Sequence, residues 1–348
     1  MKKIIAIILA FVMLMSFAAC SASPATTKAQ SNAPSEENVS DVKTTDDGDN
    51  KFLVGLAFGA LDLTPQILSE NIIAICKEKG WEYTMTNADQ DPSKLLSDVE
   101  SLCQLGCDVI CVRGITDDSM TPVQEACKEA GIPLIALSVV DQDGEYLTLC
   151  CDTTEAGADA CAEWYAQYIQ DHPDQEYNAG FVVGDYSYEA ALCRWTYVRD
   201  VEGSNELANG EANWGAPNAM TLVEDWIKTY PEMNVIGSSS DEMTVGVIQA
   251  LQDAGKSPDD YIVMSYDALD IMQDYILEGW CDASVGLDLE KHARTVCDIL
   301  QKVKDGDTSS VEKLTKAYSI WMCTSENLQG ILAVSYTHLR AHETPEHL

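Results

Sequence analysis

From Phe52 to Cys323 the chain alternates short continuous apolar runs with longer stretches of helical period. The run FLVGLAFG that opens at Phe52 suits a strand buried on both faces. Pro65–Lys79 then places Ile67, Leu68, Ile72, Ile75 and Cys76 on one side of a helix that Gly80 ends. The alternation continues as strand Trp81–Thr86, helix Pro92–Leu105, strand Val109–Arg113, helix Thr121–Ala130 and strand Pro133–Val140. Strands and helices alternating at this spacing predict a parallel, doubly wound sheet with right-handed crossovers.

Polar Asp141–Tyr146 leads to the run LTLCCD, where a second unit of the same kind is expected to begin. Helix Ala156–Gln170, strand Ala179–Gly184, helix Glu189–Val201, a short strand at Glu211–Trp214 and helix Pro217–Thr229 follow. Beyond the segment discussed next come helix Ile271–Leu277, strand Ala283–Leu287, helix Leu289–Val303 and strand Ala317–Cys323.

The stretch from Asn234 to Leu269, NVIGSSSDEMTVGVIQALQDAGKSPDDYIVMSYDAL, concentrates the chemistry. Val235 and Ile236 form a strand that runs into Gly237 and three serines. Asp241 is placed to cap a helix carrying Val245, Ile248 and Leu251, which Gly255 stops. A second strand, Tyr261–Tyr266, ends in Asp267. Polar side chains thus stand at the carboxyl ends of two strands, where open α/β sheets bind ligands. The other reading of Asp267 is a cap for the helix that starts near Asp270.

With 348 residues, 46% hydrophobic and 22% charged, the chain can bury the cores of two domains. A net charge of −36 without a basic cluster excludes nucleic acid and anionic lipid headgroups as partner surfaces. No loop shows the spaced oxygen ligands of a calcium site, and no metal or other cofactor is expected. The 13 cysteines lack CxxC and metal spacing. Cys76, Cys103, Cys127, Cys161 and Cys297 occupy helix positions suited to alanine or valine, so small buried hydrophobes are expected rather than a disulfide framework. Adjacent Cys150 and Cys151 face opposite sides of a strand.

At the start, Lys2 and Lys3 precede an apolar run, Ile4–Phe17, and then Ala18, Ala19 and Cys20. This reads as a secretory signal rather than a spanning helix. Residues 21–50 are rich in Ser, Thr, Ala, Asp and Glu and are expected to form a disordered tether with a reach of roughly 30 Å. Residues 334–348 hold His338, His342 and His347 without any core-facing period. They resemble the translated end of a transposon used in sequencing libraries, so these histidines are not read as a metal site and the natural chain is expected to depart near Ala333.

Catalytic signatures are missing from the pattern: no GxSxG, HExxH, P-loop or GxGxxG stands at a strand–helix turn. His172 and His292, the histidines of the ordered part, sit in polar helix contexts that read as solvated. A binding protein is therefore expected, not an enzyme.

The form SSSDEM…G…AL…AG…YD, with GCDVICV, AGIPLIAL and TSENL elsewhere, resembles extracytoplasmic sugar-binding proteins of the ribose- and galactose-binding class that serve ABC importers. The resemblance implies two similar doubly wound lobes joined by a three-strand hinge. On it, residues 51–140 plus 288–323 form one lobe, and residues 141–287 plus 324–333 the other. The crossings are expected near Val139–Asp152, Gly286–Asp288 and Thr324–Leu328. Small residues before Cys20 are similar to the lipobox of bacterial lipoproteins, which implies lipidation at Cys20 and a membrane anchor.

The resemblance carries sugar contacts onto Ser240 and Asp267. The family more often has asparagine at the first of these. Its glutamine near the second crossing falls on Leu287, and no counterpart of its second-lobe arginine is apparent. Loops at strand ends add Phe58, Asp62, Thr116, Asp117 and Ser138 from the first lobe, and Asp185, Tyr186, Trp214 and Tyr266 from the second. Aromatic faces stack on C–H surfaces, and ionised groups hold hydroxyls; Phe58 and Tyr266 equally read as core residues. The expected ligand is a small neutral sugar or sugar-like molecule, the expected partner an ABC permease, and the expected state a monomer. A sensory subunit that presents such a ligand to a membrane kinase or chemoreceptor is the alternative.

Overall fold

Two six-stranded sheets carry the chain, and in a computed structural model they have matching strand orders. The structure describes residues 51–138, 144–151, 154–317 and 320–328. The signal segment, Cys20, the tether and the tail beyond Ala333 lie outside the described residues.

The first sheet is built from β1 (Leu53–Phe58), β2 (Glu82–Asn87), β3 (Val109–Arg113), β4 (Leu134–Ala136), β5 (Thr148–Cys150) and β11 (Leu314–Thr315). Their order is β11-β5-β4-β3-β1-β2, all parallel. Helices α1 (Leu63–Lys79) and α9 (Leu289–Lys304) cover one face; α2 (Pro92–Leu105) and α3 (Asp117–Ala130) cover the other. The second sheet holds β6 (Tyr177–Val183), β7 (Ser204–Glu211), β8 (Val235–Ser238), β9 (Ile262–Asp267), β10 (Ala283–Leu287) and β12 (Ile320–Cys323), in the order β12-β10-β9-β8-β6-β7. It is flanked by α4 (Thr154–Asp171) and α5 (Glu189–Arg199) on one side, and by α6 (Ala216–Thr229), α7 (Asp241–Asp253) and α8 (Asp270–Leu277) on the other. β12 runs antiparallel to β10, the one reversal among the described strands.

The apolar runs explain the cores. Val54, Leu56 and Phe58 of β1 point into the α1/α9 core while Ala57 joins the α2/α3 core, so the strand is buried from Val54 onward. Cys150 and Cys151 likewise fall in the two opposite cores, and all the described cysteines but Cys103 and Cys193 are buried.

Several sequence-based expectations move. LTLCCD belongs to the first sheet, because β5 pairs in parallel with β4, Ile135 opposite Thr148 and Ala136 opposite Leu149. The first crossing therefore follows Cys151. The expected strand Ala317–Cys323, placed in the first lobe, divides instead: the first sheet ends with β11, and β12 zips onto β10 from Leu287 opposite Ile320 to Ser284 opposite Cys323. That crossing precedes Ile320. The middle crossing lies at Asp288, between β10 and α9. The strand expected at Glu211–Trp214 is β7, which ends at Glu211; its residues SNELANGE are polar because it is the edge strand, and that hid its period. α3 begins at Asp117 rather than Thr121, set by a capping box between Thr116 and Ser119. His292 is not solvated. It is 2% exposed on the apolar face of α9, donates from Nε2 to the Cys150 carbonyl at 2.6 Å, and burial pushes its pKa down to about 4.

Candidate functional site

Loops at the carboxyl ends of both sheets face each other across a cleft and line a small cavity. From the first lobe come Asp62 at the N-cap position of α1, Leu63 and Thr64 in its first turn, and Arg113 at the end of β3. From the second, α5 delivers Arg194, the β7–α6 turn Trp214, the start of α7 Ser240 and Glu242, and the end of β9 Asp267. Asp185 lines an adjoining recess with Gln90 and Arg113.

Backbone strain marks the same place. Among the described residues the non-glycine positions with positive φ are Asp89, Gln90, Asn213, Trp214, Asp267 and Ala268. All but Ala268 line the cavity or its adjoining recesses, and Ala268 follows Asp267 directly. Such conformations cost of order 1–3 kcal/mol each and persist only where surrounding contacts hold them.

Those contacts are visible for Asp267. The buried Asp241 carboxylate accepts from Ser265 Oγ at 2.5 Å, Ser284 Oγ at 2.9 Å and the Leu269 amide at 2.5 Å. Ser284 Oγ in turn accepts from the Ala268 amide at 3.0 Å, and Thr244 Oγ1 bonds Ser265 Oγ at 2.7 Å. This network pins the turn after β9. It also shows why Asp241 does not cap α7: the cap is Ser240, whose Oγ accepts from the Met243 amide, and Asp241 points inward. Burial and the neighbouring Asp267 charge hold the Asp241 pKa above the carboxylate range.

Asp267 itself is 3% exposed. Its Oδ2 accepts from Thr64 Oγ1 at 3.0 Å across the cleft, and its Oδ1 lies 3.9 Å from Arg194 Nη1. Burial raises its pKa, against the opposing pull of Arg194. It does not cap α8, whose N-cap position is Leu269 and has no side-chain bond. Arg194 lies 3.8 Å from the Tyr266 ring centroid and 5.8 Å from that of Trp214, and donates from Nη1 to the Ser239 carbonyl at 2.6 Å. Gly184 lets the Trp214 indole lie on the end of β6; a Cβ there would come within 2.4 Å of the ring. A second bond crosses the cleft from the Leu63 amide to Glu242 Oε2 at 3.2 Å. The lobes are thus closed on one another.

The sequence-predicted residues divide accordingly. Asp62, Asp185, Trp214, Ser240 and Asp267 come together. Tyr266 is 2% exposed and acts as the floor beneath Arg194. Phe58 is fully buried in the first-lobe core. Thr116 caps α3 and Asp117 is that helix's first residue. Ser138 is buried beyond β4 with no hydrogen-bond partner for its Oγ. Tyr186 is 40% exposed and bonds Asn209 on the edge strand. Sequence reasoning missed Thr64, Arg113, Arg194 and Glu242. Arg113 had a signal: it ends an apolar strand in a chain with 21 basic residues against 57 acidic ones. Arg194 had none, since it reaches the cleft from within a helix.

Two doubly wound lobes, three chain crossings and a polar cleft at the strand ends define a binding clamp of the type 1 periplasmic kind. Residues 65–308 match the periplasmic binding protein domain, and the chain belongs to that family. It is similar to a putative rhizopine-binding protein of Rhizobium meliloti, 25% identical over 239 residues covering 66% of this chain and 76% of that one. It is similar also to the ribose import binding protein RbsB of Bacillus subtilis, 22% identical over 271 residues, 77% of this chain and 82% of that one. Among solved structures, a Mycobacterium smegmatis protein in complex with β-D-fucofuranose superposes with a TM-score of 0.76 at 20% identity, covering 83% of this chain and 97% of that one. The fructose-binding periplasmic domain of a hybrid two-component system superposes with a TM-score of 0.71 at 18% identity, covering 83% and 96%.

Proposed function

We propose that this protein is the solute-binding lipoprotein of an ABC importer and holds a small sugar or sugar-like polyol between its lobes. The observation that carries the reading is the cleft: a carboxylate and a guanidinium fixed beside an indole, on a turn whose strain is held by the Asp241 network. Fixed ionised acceptors and donors hold vicinal hydroxyls, and an aromatic face covers the C–H side of a ring. A few such bonds give affinities near micromolar, roughly −8 kcal/mol. Relatives named for rhizopine and ribose, and a neighbour bound to a furanose, support a polyol. The family consists of binding proteins, which supports a role without turnover. A thermal-shift screen against pentoses, hexoses, polyols and nucleosides tests it, and an absence of any response overturns it.

An extracytoplasmic place, attachment through Cys20 and a monomeric partner for a permease complete the proposal. Cys20→Ser should release the protein from membranes; a variant that still sediments with them after a high-salt wash overturns the anchor. Presentation of the ligand to a membrane kinase is the second reading, favoured by the likeness to the periplasmic domain of a two-component system.

A further inference from the structure

Among the described residues, the charge lining the cleft is unbalanced. Its inner cavity holds three carboxylates, Asp62, Glu242 and Asp267, and two guanidiniums, Arg113 and Arg194. Arg194 lies 3.9 Å from Asp267 and Arg113 lies 4.0 Å from Asp62. Glu242 makes no ion pair with either arginine; the bond it receives across the cleft is from the Leu63 amide. Asp185 and Asp89 add two further carboxylates at the adjoining recesses, with no further arginine or lysine lining them among the described residues.

Asp62 and Glu242 come from opposite lobes. Closing the clamp brings two like charges together out of water, which opposes closure unless a cation stands between them. Asp62 also occupies the N-cap position of α1, where a carboxylate ordinarily accepts from the first-turn amides. It makes no such bond, and its buried Oδ1 has no hydrogen-bond partner. A carboxylate withheld from its own helix and facing the cavity is available to a ligand. Burial, together with the Asp62 charge, raises the Glu242 pKa, as expected for two facing carboxylates.

We propose that the natural ligand carries an ammonium group, as an amino sugar or amino-substituted polyol does, and that this group sits between Asp62 and Glu242 while the hydroxyls meet Asp267 and Arg194. This rests on the polyol reading above and narrows it. An anionic sugar, a uronate or a sugar phosphate, is excluded by the same imbalance.

The test is titration calorimetry with matched sets that differ only in charge: glucose, glucosamine and glucuronate; galactose and galactosamine; inositol and its monoamino derivative. The expected result is that, in any set that binds, the amine binds at least about tenfold more tightly than the neutral member. Glu242→Gln should abolish that preference, and without ligand it should close more readily, read as a smaller radius of gyration in X-ray scattering. A neutral member that binds as tightly as its amine, or an amine preference that survives Glu242→Gln, overturns the inference and leaves the polyol reading standing. No response from any set overturns the polyol reading and this inference with it.

Discussion

The two lobes share one strand order and differ in how each makes its side of the cleft. The second lobe presents a built surface. Trp214 rests on Gly184, Arg194 lies against Tyr266, and the turn at Asp267 is fixed by the Asp241, Ser265 and Ser284 bonds beneath it. The first lobe offers Asp62, Thr64 and Arg113 from a turn and a strand end, with an uncapped α1 and a 4.0 Å ion pair. The difference teaches an order of events. On it, a ligand is expected to dock on the second lobe first, with the first closing over it.

The comparison breaks most readily at Asp241. Asp241→Ala removes the acceptor of three buried donors at once, and an orphaned buried donor costs about 1–3 kcal/mol. A loss of at least about 3 kcal/mol in unfolding free energy is expected by denaturant titration, with second-sheet amides losing protection first. A loss under about 1 kcal/mol would mean the network is not what holds the turn.

Asp267→Ala should separate binding from stability. Hydrogen bonds to a charged group are worth about 1.5–3 kcal/mol each, so ligand affinity should fall from about tenfold to several hundredfold. The melting temperature should hold or rise, because the change removes a buried carboxylate with a raised pKa and α8 loses no cap. Retained affinity with a lowered melt would remove Asp267 from the site.

What the sequence disclosed follows the physics of each position. The sheets were legible because parallel strands buried on both faces read as continuous apolar runs, and Gly80, Gly106 and Gly131 stop the helices in the left-handed region. The edge strand β7 and the exchange of β5 and β12 between lobes were not, because pairing partners are set by tertiary contacts rather than by local period. Within the site, Ser240, Trp214 and Asp267 were found since they stand at strand ends. Arg194 reaches the cleft from the interior of α5, and Glu242 lies one residue beyond the inward-facing Asp241. Only the packed fold tells those helix residues from solvated ones.

Acid should act on the lobes in opposite directions. In the second lobe burial pushes the Asp282 pKa up to about 6, although its carboxylate accepts from the Val263 amide. A carboxyl whose pKa rises on folding stabilises the fold below its unfolded value of about 3.9, and that gain is lost as pH climbs through about 6. In the first lobe His292 is held neutral to about pH 4. The unfolded chain takes up that proton near pH 6.5, so stability there is lost as pH falls from about 6.5 to 4. Between pH 7 and 5, hydrogen exchange should slow in β9 and β10 relative to β5 and α9. Asp282→Asn should cancel the second-lobe gain; parallel changes in both lobes would show that overall charge governs instead.

The smallest effect tests the order of events most directly. Thr64 reaches from the first lobe to Asp267 Oδ2 at 3.0 Å, so Thr64→Val keeps the shape and deletes one bond of closure without touching the second lobe's surface. If the ligand docks on the second lobe first, the association rate should be unchanged. Only dissociation should quicken, by an amount set by one partly buried hydrogen bond, about 0.5–1.5 kcal/mol or roughly two- to tenfold. Without ligand, the same variant should populate the open form more, seen as a larger radius of gyration by X-ray scattering. Stopped-flow fluorescence of Trp214, which lines the cleft, resolves the two rates. A fall in the association rate, or an affinity loss as large as that of Asp267→Ala, would mean that Thr64 helps to capture the ligand and that the lobes bind it as equals.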